Sequence, residues 1–217
     1  FPTPHNLLFL MRYADVTLES NAMKMVEITL EDMARGGIFD HIGGGFSRYS
    51  TDEMWLVPHF EKMLYDNTLL LITYTKAYQH TKKESFADTA DRTAGYILRE
   101  LTDEEGGCYC GQDADSDGVE GKYYVFTPEE VKAALGKENG EEFCRLYDIT
   151  DTGNFEGKSI PNRIHSSEDG WNMDDPRLNK LYEYRLNRTK LHKDDKILLS
   201  WNAWAIIALA KAGQVLE

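Results

Sequence analysis

The sequence predicts an all-α protein built from helical hairpins, with one short β-hairpin near residues 108–126. Three observations favour this fold class. Apolar residues recur every three to four positions along most of the chain, which is the period of a helix packed on one side. Glycine and proline stand near the ends of these segments, and polar connections separate them. The chain has 217 residues, 41% of them hydrophobic, so a domain with a real core is expected.

The first three helices follow from the apolar spacing and from the signals at their ends. A first stripe covers residues 22–33 and stops at Gly36-Gly37, which is typical of a helix C-terminus. A second helix is expected to open at Pro58, because proline suits the first helical turn, where its missing N–H would be unpaired anyway. Its apolar stripe runs to residue 78, and a third stripe covers residues 86–101.

The later elements alternate short strands, helices and one long loop. Thr127-Pro128-Glu129-Glu130 predicts a capping box, in which Thr127 caps the helix and Glu130 reaches back to it. That helix should end at Gly136. The other predicted elements are strands at 108–112 and 122–126, a helix at 141–147, a loop at 151–174, and helices at 176–188 and 200–216.

The last predicted helix has almost no polar face, as Trp201, Ala203, Trp204 and the residues after them show. A helix that is apolar all round belongs inside a larger structure. About six helices paired as hairpins would make roughly half of a closed toroid of helical pairs. We therefore expect residues 1–217 to be an incomplete (α/α)6 toroid, or to rely on an oligomeric partner such as a second copy.

Charge and composition exclude several classes of partner. The formal net charge is −13, which repels phosphate backbones and anionic lipids, so neither nucleic acid nor membrane is an expected partner. No apolar run reaches the roughly 20 residues that a bilayer span requires. Three cysteines, an odd and sparse count, suit a reducing compartment, and we expect a cytoplasmic protein.

The densest polar chemistry lies in the glycine-rich stretch 36–52, which contains five glycines. These glycines permit sharp turns and close approach of the backbone to a ligand. Between them stand Asp40, His41, Arg48, Tyr49 and Asp52. The stretch is either a tight structural loop or the wall of a cleft that offers His41 as an acid or a base.

The next polar stretch combines Trp55, His59 and Asp66. In the first turn of a helix, His59 would be held neutral by the helix dipole and could act as a general base. Helical spacing would put His59, Met63 and Asp66 on one face and Glu61 on another. A capping or core-lining histidine is the alternative interpretation.

Two further polar segments complete the candidates. Residues 113–118 resemble the start of a calcium loop, but the twelfth position holds Tyr124 where a bidentate Glu is required. A plain acidic turn is therefore favoured over an irregular calcium site, and Asp113 and Asp115 remain candidates for binding sugar hydroxyls. We expect no metal and no cofactor.

The segment 192–202 leads into the last helix and offers His192, Asp195 and Trp201. Asp195 or Asn202 is expected to cap that helix. His192 is a third candidate acid or base, and Trp201 a candidate binding residue.

Five stretches of the sequence resemble a known family. They are FPTPHNLLFLMRY at 1–13, GGIFDHIGGGFSRYSTDEMWLVPHFEKMLYDNTLLL at 36–71, residues 113–127, GNFEGK at 153–158, and residues 192–202. These stretches resemble the thioredoxin-linked family that includes the spermatogenesis-associated protein of animals. Leu191 and Ala203 depart from the pattern, since many relatives have Pro and Gly there.

The resemblance implies a thioredoxin-like domain followed by a six-hairpin toroid. Such a toroid is similar to those of N-acylglucosamine 2-epimerases, cellobiose epimerases and several glycoside hydrolases. The chain has no Cys-x-x-Cys, so we expect the thioredoxin-like domain to be absent from it. The uncovered last helix fits the absence of the C-terminal part of the toroid, which we also expect.

Two hypotheses for function follow. The first is a carbohydrate-active enzyme: an epimerase or isomerase would use two of His41, His59 and His192, with Asp66 or Asp195 orienting a ring. A hydrolase would instead need two carboxylates, for which Asp40, Asp52, Asp113 and Asp115 are available. Trp55, Tyr49 and Phe46 would supply a stacking surface for sugar rings, although aromatic side chains more commonly pack in a core. The second is a non-catalytic module that binds a glycan, a metabolite or a protein and works with a thioredoxin-like domain.

Overall fold

The computed structural model describes residues 1–166 and 175–216, and they are mostly helical. The α-helices are α1 (Pro4–Thr17), α2 (Ser20–Arg35), α3 (Leu64–Thr81), α4 (Glu84–Tyr96), α5 (Pro128–Leu135), α6 (Lys137–Leu146), α7 (Pro176–Arg188) and α8 (Leu199–Gly213). A π-helical turn, Ile97–Leu101, extends α4. The strands are β1 (Tyr49–Ser50), β2 (Pro58–His59), β3 (Lys62–Met63), β4 (Gly111–Gln112), β5 (Asp115–Ser116), β6 (Val119–Glu120) and β7 (Lys193–Asp194).

Helices that are neighbours in sequence pack in pairs. α1 packs on α2, α3 on α4, and α5 on α6, while α8 returns to lie against α3. The main core lies among α1–α4 and α8 and contains Leu30, Phe46 and Tyr74, all fully buried. A second core under α5–α7 contains Phe126 and Phe143. The prediction of a mostly helical chain is confirmed.

Local signals at helix ends are confirmed at two places. The Thr127 hydroxyl accepts the N–H of Glu130 at 3.2 Å, and the Glu130 carboxylate accepts the N–H of Thr127 at 2.9 Å, which completes the capping box. α2 ends at Arg35, directly before Gly36. A side chain at Gly36 would overlap the backbone of Trp55, so only glycine permits this close approach.

The helix expected to open at Pro58 begins instead at Leu64. Pro58 and His59 form β2, which pairs antiparallel with β1, with Tyr49 opposite His59. His59 is therefore not in a first helical turn, and the helix-dipole argument for its neutral state is wrong.

The predicted β-hairpin between 108–112 and 122–126 is also wrong in its pairing. β4 lies at the centre of a three-stranded antiparallel sheet, between β3 and β7. The local hairpin is β5–β6, with a tight turn at Asp117 and Gly118, both in the left-handed backbone region. Phe126 makes a bridge to Ser159 instead.

The last helix is buried on one side only. Its small residues Ala205, Ala208 and Ala212 are buried, whereas Leu199 and Ile206 are 87% and 70% exposed. The helix α1 was not predicted, and part of the predicted loop 151–174 lies outside the described residues. No helix among the described residues combines the length and the apolar character needed to cross a bilayer.

Candidate functional site

Strict alternation of burial in the segment 58–64 builds the candidate site. Phe60, Lys62 and Leu64 point inward and are buried, whereas His59, Glu61 and Met63 are only partly covered. Alternation with a period of two is the signature of extended backbone. It places His59 and Glu61 on the same outer side, which corrects the expectation that Glu61 points elsewhere.

The register of the three-stranded sheet extends this outer side across two more strands. Lys62 is opposite Gln112, which is opposite Lys193. One step further in the same register lie Glu61, Asp113 and His192, and the N–H of Asp113 donates to the carbonyl of His192 at 3.0 Å. Side chains directly opposite each other in an antiparallel sheet point to the same side. We call this strip of Glu61, Asp113 and His192, together with His59, the outer sheet face.

His59 is held in place from two sides. Its Nδ1 lies 2.8 Å from Glu120 Oε1, and its Nε2 lies 4.0 Å from Glu61 Oε2. The ring stacks on that of Tyr49, with centroids 5.1 Å apart. Because the side chain keeps 31% of its surface exposed, the imidazole is both oriented and accessible.

Arg48 and Tyr65 form one border of the outer sheet face. The Arg48 guanidinium lies 3.2 Å from Glu61 Oε2 and donates to the Tyr65 hydroxyl at 3.1 Å. The Tyr65 ring meets Trp201 edge-on, with centroids 4.8 Å apart. Arg48, Tyr49 and Trp201, all predicted binding residues, therefore lie together with His59.

Asp66 follows Tyr65 in the first turn of α3. Burial raises the pKa of its carboxyl to about 7, although Arg48 opposes the shift. Its Oδ2 is buried and has no hydrogen-bond partner. A carboxyl group with a pKa near neutrality can take up or release a proton under physiological conditions.

The inner side of the same sheet carries a buried ion cluster formed by Asp40, Lys62 and Arg185. The Asp40 carboxylate accepts from Lys62 Nζ at 2.8 Å and from both terminal nitrogens of Arg185 at 3.0 and 2.8 Å. Burial alone would raise the pKa of Asp40, but Arg185 and Lys62 hold it well below its usual range. Burial lowers the pKa of Lys62 to about 8.

This cluster corrects the assignment of Asp40 as a substrate-binding residue. Its side chain is 6% exposed, and its oxygens are occupied by the two cations and by the N–H groups of Ile42 and Gly43. The cations are themselves covered by aromatic rings, Lys62 by Tyr96 at 4.5 Å. The cluster ties the glycine-rich loop to β3 and α7.

His41 lies in the core and away from the outer sheet face. It is 1% exposed, its Nε2 is 3.0 Å from the carbonyl oxygen of Gly36, and its ring packs against Phe39 and Tyr147. Burial, with a contribution from Arg92, lowers its pKa to about 3. The imidazoles of His41 and His59 do not face a common cavity, so they do not make the pair that an epimerase needs.

The other predicted residues lie elsewhere. Asp52 accepts the N–H groups of Met54, Leu56 and Val57, so its carboxylate shapes the turn before β2. Trp55 packs against the main core.

Asp115 and Asp195 are exposed, and neither has an ion-pair partner among the residues that the structure describes. Leu198 stands at the N-cap of α8 without a side-chain hydrogen bond, so the expected cap by Asp195 or Asn202 is wrong. Asn202 instead anchors the helix by two hydrogen bonds to the backbone of Cys108. Among the described residues, no group of three His, Cys, Asp or Glu side chains converges as a metal ion requires, so we assign no metal ligand.

Sequence reasoning missed Glu61, Tyr65 and Glu120 as site residues. Glu61 and Tyr65 stand in the stretch already singled out, and reading 58–64 as a strand would have found the first. Glu120 comes from the β5–β6 hairpin, more than fifty positions away in sequence, and no local pattern connects it to His59.

Comparison with known proteins gives a match along the whole chain. No family model matches. The chain is 36% identical to spermatogenesis-associated protein 20 of Mus musculus and 35% identical to that of Homo sapiens. The chain is therefore a homologue of spermatogenesis-associated protein 20. An uncharacterized protein of Caenorhabditis elegans is 33% identical. All of the chain is covered in each case, but it spans only about a third of each relative, 32%, 33% and 35%.

Proposed function

We propose that the outer sheet face binds a carbohydrate and moves a proton on it, as a sugar epimerase or isomerase does. One observation carries the proposal: His59 and His192 stand at opposite ends of a strip that contains the carboxylates of Glu61 and Asp113. Two acid–base groups on either side of a ligand are what proton abstraction and return require. Homology to spermatogenesis-associated protein 20 supports the family resemblance and carries no activity with it.

The dimensions of the strip suit a single sugar ring. Neighbouring strands lie about 4.8 Å apart and successive residues of a strand about 3.3 Å apart. His59 is two residues along from Glu61, so its backbone is roughly 12 Å from that of His192. A ring between the two imidazoles would have Asp113 beneath it to accept hydrogen bonds from hydroxyl groups. Tyr49 and Trp201 add aromatic surface at the border, where apolar faces of sugar rings can pack.

Asp66 and Arg48 add a second source of protons and a fixed donor. Asp66, with its pKa near 7, can exchange a proton with a ligand hydroxyl or carbonyl through Tyr65 or water. The Arg48 guanidinium, oriented by Glu61 and Tyr65, would stabilise negative charge that develops on a carbonyl oxygen.

Proton NMR in D₂O tests this function directly. The protein is incubated with aldoses and N-acyl amino sugars, and deuterium incorporation beside the carbonyl is followed. We expect exchange with at least one sugar, and loss of at least a hundredfold in rate in His59→Gln and in His192→Gln. His5→Gln, an exposed histidine on α1, is the control and should keep the rate. Exchange in both site variants at the wild-type rate would refute the proposal.

A non-catalytic sugar-binding module is the second candidate. The hydrogen bond between His59 and Glu120 favours this candidate. It occupies one nitrogen of the imidazole and fixes the ring, and a fixed ring is useful for binding a sugar even when no proton is transferred. The same NMR experiment separates the two candidates. Saturable binding without any deuterium exchange supports the module and contradicts the enzyme.

The larger assembly is a separate proposal. We infer that the helical pairs form part of a six-hairpin toroid that works with a thioredoxin-like domain in the cytoplasm. The pairing of α1 with α2, α3 with α4 and α5 with α6 supports the toroid. The exposed Leu199 and Ile206 support covering of α8 by a second copy. Equilibrium sedimentation should then give a mass above 24.8 kDa, which Ile206→Glu should restore to the monomer value.

A further inference from the structure

A pocket of about 160 Å³ opens beside the outer sheet face, and one of its lining residues, Glu120, contacts His59 of that face. It lies between β6 and the turn at residues 155–158. Glu120 forms part of its wall, and the same carboxylate lies 2.8 Å from Nδ1 of His59. A ligand bound beside His59 can therefore extend past Glu120 into the pocket.

The floor of the pocket is apolar. The apolar residues of its lining are Val119, Val125 and Phe155. Phe155 is partly exposed, and its ring is fixed edge-on against the buried Phe60, with centroids 5.3 Å apart. A fixed, partly exposed aromatic ring beside aliphatic side chains is a surface on which the apolar face of a sugar ring can pack.

The rim of the pocket is polar but carries no uncompensated positive charge. Lys122 Nζ lies 2.8 Å from a carboxylate oxygen of Asp117, and Lys158 Nζ lies 3.3 Å from one of Glu130. Glu120 adds a carboxylate to the rim. Because the ammonium groups already have acidic partners, the rim favours a neutral ligand rich in hydroxyl groups over a phosphate or a carboxylate.

Two tight turns shape the walls of the pocket. Asp117 and Gly118 close the β5–β6 hairpin, and Glu156 and Gly157 close the opposite turn, all four in the left-handed backbone region. The hydroxyl of Thr189 donates to the Asp117 carboxylate at 2.8 Å and fixes the first turn to the end of α7. A pocket that exists before binding saves the cost of ordering its walls.

We propose that this pocket binds the second sugar unit of an oligosaccharide whose first unit lies on the outer sheet face. This inference rests on the proposed function and names its substrate class, a glycan of at least two units. The pocket volume of about 160 Å³ is about half of the roughly 300 Å³ of the smallest sites for drug-sized ligands. A pocket of this size suits one sugar ring. Glu120 stands at the junction, between His59 on one side and the pocket on the other.

Titration calorimetry with matched sugars tests the second subsite. The probes are glucose with maltose and cellobiose, and N-acetylglucosamine with its β-1,4-linked dimer. We expect at least one disaccharide to bind about tenfold more tightly than its monosaccharide, as one added stacked ring would give. Val119→Trp, at a position 47% exposed, should fill the pocket and abolish this gain without changing monosaccharide affinity. Leu98→Trp, at an exposed leucine on the π-helical turn, is the control.

The outcomes separate this inference from the proposed function. Equal affinity for both sugar sizes, or a disaccharide gain that survives Val119→Trp, would overturn the second subsite while sugar binding at the outer sheet face stands. Failure of every sugar to bind would overturn the proposed function and the subsite with it. Phe155→Leu serves as a second variant and should also reduce the disaccharide gain. A circular dichroism spectrum like that of the wild type is the check that this variant is folded.

Discussion

Removing the charge of Asp40 should destabilise the protein strongly, because it leaves two buried cations without their shared partner. In Asp40→Asn the side-chain volume is kept, but Lys62 and Arg185, 1% and 3% exposed, lose the carboxylate at 2.8 Å. Breaking a buried ion pair by removing one partner costs about 4 kcal/mol. For a chain of this length, that cost corresponds to a decrease of roughly 10 °C in melting temperature.

Urea unfolding followed by circular dichroism measures this cost. Asp115→Asn, an exposed acidic residue on β5, is the matched control and should change the free energy of unfolding by less than about 0.5 kcal/mol. Adding Lys62→Met to Asp40→Asn should recover more than about 1 kcal/mol of the free energy of unfolding, since one of the two buried cations without a carboxylate partner is then removed. If Asp40→Asn is as stable as Asp115→Asn, the reasoning about the buried cluster is refuted.

The pH dependence gives an independent check on Asp40. Its folded pKa is depressed well below that of the unfolded carboxyl, about 3.9. The stability that its charge contributes is therefore fully present above about pH 5 and is lost as the pH falls towards the folded pKa. The difference between wild type and Asp40→Asn should shrink below about pH 4.

Two further predictions concern Asp66 and the helix cap. Burial raises the pKa of the Asp66 carboxyl in the folded protein to about 7. As the pH rises from about 4 to 7, this carboxyl therefore loses its proton in the unfolded state before it does so in the folded state, and the free energy of unfolding falls. Asp66→Asn should therefore be more stable than wild type at pH 8, on the order of 2 kcal/mol, and similar at pH 4; equal urea midpoints at pH 8 would contradict this. Thr127→Ala should lower the free energy of unfolding by about 1 kcal/mol, measured in urea, and Thr51→Ala, at an exposed loop position, should cost less.

The helical part of the fold could be predicted because its signals are local. The apolar stripe of α2 and the box of Thr127 and Glu130 each depend on residues within one or two turns of helix. The same is true of α7, whose predicted limits match the observed Pro176–Arg188. The α1 helix was missed although its apolar residues Leu7 and Met11 have helical spacing.

The extended segment that contains β2 and β3 could not be predicted, because its inward position 62 is occupied by lysine. Lysine is almost never fully buried unless it is paired, so its presence hides the alternation that marks extended backbone. Here the Asp40 carboxylate and the Gly44 carbonyl accept hydrogen bonds from Lys62 Nζ at 2.8 and 2.7 Å and make its burial tolerable, and both residues are distant in sequence. The error moved the start of α3 by six residues and assigned Glu61 to the wrong side.

Some members of the candidate site could be predicted, but its arrangement could not. Arg48, Tyr49 and His59 were singled out and do lie together, since all three belong to one short stretch of chain. His192 joins them only through the pairing of β7 with β4, which no local pattern encodes. His41 was grouped with them by proximity in sequence, yet the loop folds its ring into the core.

The imidazole resonances of the histidines test the central claim most directly. Proton–nitrogen correlation spectra of the side-chain rings are recorded while a sugar that the protein binds is titrated. We expect the resonances of His59 and His192 to shift together, in proportion to occupancy, while those of the buried His41 stay unchanged. A titration that saturates binding but shifts neither His59 nor His192 would contradict the assignment of the outer sheet face as the carbohydrate site.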